Sequence, residues 1–141
     1  MIKCGGGDDG LYEDRKFQQN IQGALANGIQ VGVYFYSGAS NAREAYDEAS
    51  YCISLIRDYQ ITYPVAFDWE LDGDYDSVTE ACETFCNVIS SYGYQPMVYS
   101  NRNRWYNNFD GEKIASKYKV WMAAYFGKFY YDSVRWTYGD D

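Results

Sequence analysis

Short apolar runs alternate with amphipathic segments along the chain, and this strand-then-helix rhythm confines the fold to parallel strands joined by crossover helices. Five strand candidates carry the rhythm, at residues 2–4, 30–37, 63–70, 96–100 and 120–125. The second reads Val31-Gly32-Val33-Tyr34-Phe35-Tyr36, almost continuously apolar, as a strand covered on both faces should be. Helices are expected at about 14–27, 41–59 and 77–92, where Phe17, Ile21, Ala24 and Leu25, then Ala45, Ala49, Cys52 and Ile56, then Val78, Ala81, Phe85 and Ile89, recur at helical spacing. Gly28 and Gly93 are placed to end the first and third of these. Asp14 is placed to cap the first helix, and Ser40 or Asn41 the second. Between the last two strands the reading allows polar turns and at most one short helix, at about 112–118, and a further strand could begin at 134–138.

Composition narrows the function classes. A length of 141 residues allows one domain and a real core. Formal charge is -8, from twelve Lys+Arg against twenty Asp+Glu, so the field repels nucleic acid and anionic lipid, and neither is expected as a partner. No segment approaches the roughly 20 apolar residues needed to cross a bilayer, and Met1-Ile2-Lys3-Cys4 opens no secretory signal. There is no His, which removes Ser-His-Asp and Cys-His catalysis and leaves carboxylates as the natural acid and base groups. Cys4, Cys52, Cys82 and Cys86 form no CxxC pair and read as small buried thiols, with a link from Cys52 to a neighbouring helix as the alternative. Seventeen Tyr and four Trp exceed what a core of this size needs, and amphipathic rings suit both half-buried positions and sugar faces.

The third strand ends in Asp68-Trp69-Glu70. Side chains alternate along a strand, so Asp68 and Glu70 share one face, about 6.6 Å apart in rise, while Trp69 takes the other. Two carboxyls in one partly apolar environment cannot ionise independently, so at least one is held protonated towards neutrality. Glycoside hydrolysis needs that combination, one carboxyl protonating the leaving oxygen and another stabilising or attacking the cationic sugar centre. Glu70, nearer the mouth, is the expected donor. Two plainer readings stand beside this one: a solvated strand end paired with Arg or Lys, and a magnesium or calcium site completed by Asp72, Asp74 and Asp76, although no EF-hand continuation follows.

The ordered set of motifs resembles the family 25 glycoside hydrolases, the Chalaropsis-type lysozymes. Asp14-x-x-Phe17-x-x-Asn20 with Ala24 and Gly28 looks like that family's helix after its second strand, and Gly32-Val33-Tyr34-Phe35-Tyr36 like its next strand. Pro64-Val65-Ala66-Phe67-Asp68-Trp69-Glu70 looks like its DxE strand. Pro96-Met97-Val98-Tyr99-Ser100 and Val120-Trp121-Met122-Ala123-Ala124-Tyr125 are similar to its later strands. The resemblance implies an α/β fold of the TIM-like (β/α) barrel type and an N-acetylmuramidase, cleaving the β-1,4 bond between N-acetylmuramic acid and N-acetylglucosamine in peptidoglycan. It implies Glu70 as general acid, and Asp68 as the group that orients the substrate's acetamido function or stabilises the developing cation. Tyr34, Tyr36, Tyr99, Trp121 and Tyr125 look like groove residues, and each is equally readable as barrel packing. Neither metal nor cofactor is implied.

The pattern also departs from the family. A complete barrel typically takes about 250 residues. The family's first strand carries another site aspartate for which no residue here stands, and Trp136-Thr137-Tyr138-Gly139 approaches the family's last site strand, with Asp140 and Asp141 outside the matching context. The expectation is therefore one irregular, incomplete barrel domain over residues 1–141, with open sheet edges through which copies could self-associate. Glycan strands of bacterial peptidoglycan are the expected partner, and an extracellular or lysis-released location follows from the resemblance. The rival expectation is a glycan-binding module that keeps the aromatic groove without turnover.

Overall fold

The computed structural model describes residues 1–124. Tyr125, the strand expected at 134–138, the segment 136–139, Asp140 and Asp141 lie outside the described residues. In chain order the elements are β1 (Ile2–Gly6), β2 (Tyr12–Glu13), α1 (Phe17–Ala26), β3 (Val33–Ser37), α2 (Ala42–Ile56), β4 (Val65–Trp69), α3 (Val78–Ser91), β5 (Pro96–Asn101), α4 (Arg102–Asn107), α5 (Gly111–Ala115) and β6 (Lys119–Ala123). They form one mixed sheet in the order β2-β1-β3-β4-β5-β6. Every pairing is parallel except β1 with β2. Among the described residues the sheet is open, with β2 and β6 at its edges.

The two faces of the sheet differ because apolar and other residues alternate along its strands. Val33, Phe35, Val65, Phe67, Trp69 and Val98 point to one face and are buried against the inward stripes of the helices. Phe85 of α3 meets Phe67 at 5.0 Å and Phe35 at 6.1 Å between ring centroids, so the central helix and the two central strands share one aromatic contact. Residues 34, 36, 66, 68, 97 and 99 emerge on the opposite face.

Helix ends follow the glycine signals closely. Gly28 has φ +70° and Gly93 φ +85°, the left-handed conformation that a residue with a Cβ disfavours. After α1 the Gly28 N–H donates to Leu25 O and the Ile29 N–H to Ala24 O; after α3 the Gly93 N–H donates to Ser90 O and the Tyr94 N–H to Ile89 O. Both ends thus close as Schellman motifs. Asn41 caps α2, its side chain accepting from Glu44 N at 3.0 Å.

Three expectations are corrected. Helix α1 begins at Phe17, not near Asp14, because residues 12–13 pair with β1 as an antiparallel edge strand. Asp14 accepts the Lys16 N–H at 3.0 Å, making an Asx-type turn ahead of the helix instead of capping it. Two short helices, α4 and α5, replace the single one expected, and α4 is anchored by buried Trp105 and capped by Asn101. All four thiols are free and buried, as read from the sequence. Cys52 meets Cys4 of β1 at 3.8 Å between sulfurs, so its neighbour is a strand and not a helix. No helix among the described residues is long and apolar enough to cross a membrane.

One polar contact ties α2 to the sheet. Glu48, only 3% exposed, accepts from Ser37 Oγ at 2.5 Å and from Gly38 N at 2.8 Å. Gly7 makes room for it, since a Cβ there would stand 2.1 Å from the Glu48 carboxylate. Burial pushes the Glu48 carboxyl up to about 7, against the lowering effect of its two donors. A carboxyl whose folded pKa is raised binds its proton more tightly folded than unfolded, so it stabilises the fold most below the unfolded value of 4.5. That contribution is lost as pH rises through 7, on the order of 3 kcal/mol in all. We expect the stability difference between Glu48→Gln and the parent, measured by urea denaturation from pH 4 to pH 8.5, to move in the variant's favour as pH rises; a pH-independent difference would show that the carboxyl is not held this way.

Candidate active site

Strand register assembles the candidate site. Gly6, Tyr36, Asp68, Tyr99 and Trp121 are cross-strand partners in series over β1, β3, β4, β5 and β6. Parallel partners project to the same face, so this row brings two acids of one strand among the aromatic side chains of its neighbours. One residue pair earlier along the strands runs the row Tyr34, Ala66, Met97. Ala66 is fully buried, and its small side chain leaves the floor between Tyr34 and Asp68 open.

A hollow of about 240 Å³ lies on this face, lined by Tyr34, Asp68, Glu70, Tyr99 and Trp121. Trp121 and Tyr99 meet edge to face at 4.8 Å and form one wall, with Trp121 still 44% exposed. Of the aromatic residues expected in a groove, Tyr34, Tyr99 and Trp121 are thus together. Tyr36 sits in the register row but does not line the hollow, its ring facing the ammonium of Lys3 at 5.1 Å. Tyr125 is outside the described residues.

The two acids differ in depth. Asp68 is 5% exposed and its Oδ1 has no hydrogen-bond partner. Glu70, one residue past the end of β4, is half-buried. Burial first, then a hydrogen bond to Glu70 and its negative charge, push the Asp68 carboxyl up to about 8, while Lys3 opposes the rise. The pair accordingly holds a proton at neutral pH, as the alternation argument requires. Burial, the largest of these causes, disfavours the charged form of Asp68, the deeper of the two acids. Tyr34 and Tyr36 are also raised, chiefly by burial, and the acid charges add to this.

The backs of the acids are braced. Trp69 points to the helix face, donates its indole N–H to Ala39 O at 2.9 Å, and meets Tyr75 and Phe109 edge to face at 5.4 and 5.7 Å. Its carbonyl accepts from the buried Ser100 hydroxyl. Asp72 pairs with Arg104, and Gly73 O accepts from Asn108 Nδ2 at 3.0 Å, so the loop after the acids is fastened to α4. Among the described residues no three Cys, Asp or Glu side chains are grouped as metal ligands. A second cleft of about 450 Å³ opens between Gly7, Gly38 and Tyr75, where Glu48 is already committed to Ser37 and Gly38.

Lys3 and Tyr12 were not singled out from the sequence. Lys3 and Gly6, three residues apart, both reach the acid face because the register of β1 shifts between Lys3 and Gly5, an irregularity that alternation cannot announce.

Comparison with known proteins bears on the same residues. The sequence model described as Glycosyl hydrolases family 25 matches residues 1–138. The chain is 33% identical over 101 residues to a D-alanyl-L-alanine endopeptidase of Streptococcus phage B30, covering 67% of this chain and 22% of that protein. It is 30% identical over 100 residues to the lysozyme of Streptococcus phage Cp-1, covering 67% of this chain and 29% of that one. The chain thus spans less than a third of the length of either relative. Among solved structures, the modular autolysin LytC from Streptococcus pneumoniae superposes with a TM-score of 0.81 at 26% identity, over 96% of this chain and 34% of that one. LytC has also been solved in complex with a synthetic peptidoglycan ligand. The CTP1L endolysin matches in fold, with a TM-score of 0.78 at 23% identity, over 96% of this chain and 47% of that one.

The titration of the pair can be tested directly. Because burial is the largest cause of the raised Asp68 pKa and Glu70 the next, Glu70→Gln is expected to lower the Asp68 midpoint from about 8 but leave it well above the ordinary 3.8. Carboxyl ¹³C chemical shifts followed against pH measure this, and a midpoint unchanged in the variant would mean that the two acids do not interact.

Proposed function

Since the chain belongs to glycosyl hydrolases family 25, we propose that it is a peptidoglycan hydrolase of the muramidase type, cleaving the β-1,4 bond between N-acetylmuramic acid and N-acetylglucosamine. The observation that carries the reading is the hollow in which Asp68 and Glu70 lie together between the rings of Tyr34, Tyr99 and Trp121. A pyranose presents an apolar face that packs on Tyr and Trp rings, and its glycosidic oxygen must be protonated as the bond breaks.

In this reading Glu70 stands at the mouth and delivers the proton to the leaving oxygen. Asp68 lies deeper, and its unpartnered Oδ1 is an acceptor for the substrate's acetamido N–H. Substrate binding excludes water from the hollow and adds a hydrogen-bond donor to Asp68. A donor favours the carboxylate form, so the proton shifts towards Glu70, where it is used. The acetamido group held by Asp68 then supports the developing cation from the opposite side, with net retention at the sugar carbon.

The larger assignments belong to the same proposal. Residues 1–141 are taken as a single domain whose parallel sheet is part of a TIM-like barrel, with the acids at the C-terminal ends of its strands as in other such barrels. Its substrate is the glycan strand of bacterial peptidoglycan, met outside the producing cell or at lysis. Copies pair through the sheet edges only where those edges stay uncovered.

Reducing-end release from purified peptidoglycan is the test. Parent protein is expected to release reducing ends, and Glu70→Gln to lose at least about 100-fold of that rate while still co-sedimenting with the wall. Retained binding with no release by the parent would favour a glycan-binding module, and absence of both would remove the sugar reading altogether.

A further inference from the structure

The acid pair carries its shared proton beside one fixed positive charge that lies outside the hollow. Lys3 is the cross-strand partner of Tyr34, so its side chain leaves β1 on the acid face. Its ammonium lies 5.1 Å from the centroid of the Tyr36 ring and 5.4 Å from that of Tyr12. A lysine on an exposed strand is ordinarily mobile on its four-carbon stem, but a cation held against two ring faces is localised.

The clamp exists because of Gly6. A Cβ at that position would stand 2.4 Å from the Tyr12 hydroxyl and 2.8 Å from Tyr36 O, so only glycine lets the Tyr12 ring fold across β1 towards Lys3. The Tyr12 hydroxyl then donates to Asp8 at 3.0 Å, which fixes the outer ring. The inner ring, Tyr36, is the direct cross-strand partner of Asp68. Asp8, Tyr12, Lys3, Tyr36 and Asp68 therefore form one continuous run from the edge strand to the acids.

We propose that Lys3 is a positioning residue for the acid pair: clamped between Tyr12 and Tyr36, its charge biases the proton shared by Asp68 and Glu70 and so sets the pH range over which the pair works. The proposal rests on the reading of Asp68 and Glu70 as the acid machinery. The groups facing the pair are Lys3 from β1, Tyr12 with Asp8 and Asp14 from β2 and its flanks, Tyr34 and Tyr36 from β3, and Tyr99 from β5. Tyr12, Tyr34 and Tyr36 are raised above the ordinary phenol value and stay neutral through the working range; from β6, Trp121 carries no charge, and Lys119, the partner of Met97, projects to the same face but is exposed at the sheet edge. Lys3 is thus the cation held in place towards the acid pair, and the one that lowers the Asp68 pKa, with Asp8 and Asp14 as distant anions that weaken but do not cancel it. Its effect on Asp68 is to lower the pKa, opposing burial and Glu70.

The sign follows. Removing the charge makes ionisation of the pair harder, so both its protonation steps move to higher pH. In Lys3→Met, which keeps the apolar stem, the Asp68 midpoint read by carboxyl ¹³C NMR is expected to rise by about one pH unit. Lys3→Arg, which keeps the charge and stacks equally well on aromatic rings, is expected to restore the parent midpoint. Tyr12→Leu removes one wall of the clamp without touching the charge, and is expected to give a smaller rise in the same direction. In a peptidoglycan hydrolysis assay the pH profile of Lys3→Met shifts alkaline by the same amount, with its maximal rate less affected than its position. An unmoved midpoint in Lys3→Met, or a shift that Lys3→Arg fails to reverse, overturns the proposal. Should Lys3→Met not fold, Lys3→Arg and Tyr12→Leu still decide it, since equal midpoints in Tyr12→Leu and the parent deny the clamp any role. Absence of hydrolysis by the parent would sink the muramidase reading alone, because the carboxyl titration judges Lys3 without any turnover.

Discussion

Holding a carboxyl on the central strand of a parallel sheet is the constraint from which the rest of this structure follows. Asp68 is flanked on both sides by backbone ladder and nearly closed off from water, so its charge is unfavourable unless something compensates it. A proton shared with Glu70 is part of the answer, and the Lys3 cation two strands away is another. The aromatic side chains beside it dry the site further, which keeps the proton in place but also makes the carboxyl responsive to any polar group a ligand brings. Depth, charge and aromatic cover are in that sense a single arrangement.

Much of this was legible in the residues. The apolar-polar switch at the end of residues 63–70 located the acids, and period-2 alternation put Asp68 and Glu70 on one face with Trp69 on the other. Glycine chemistry located the ends of α1 and α3 correctly, because a left-handed residue after a helix is a local requirement. Register was not legible. That Tyr36, Asp68, Tyr99 and Trp121 fall into one row depends on how four separate strands align, and no local signal carries that alignment.

The misplaced features share a cause. β2 is two residues long and exists through its pairing with β1, and α4 is a polar turn of helix held by Trp105. Neither has enough periodicity to announce itself, and tertiary contact decides both. Which of the two acids is the harder to ionise was not legible for a related reason. Strand direction told which acid lies nearer the mouth, but the harder carboxyl to ionise is the one with less water around it, and solvent access is a property of the assembled sheet.

Trp69 separates the two acids in the chain and faces away from both, yet its indole is fastened to the β3–α2 turn through Ala39, to Tyr75 of the loop after β4, and to Phe109 beyond α4. Three loops at one rim of the sheet thereby share a keystone. Lengthening or recolouring those loops alters what approaches the rim, while the keystone keeps the paired carboxyls at the same height and angle. What meets the rim and how the acids are held are thereby set by different residues of the chain.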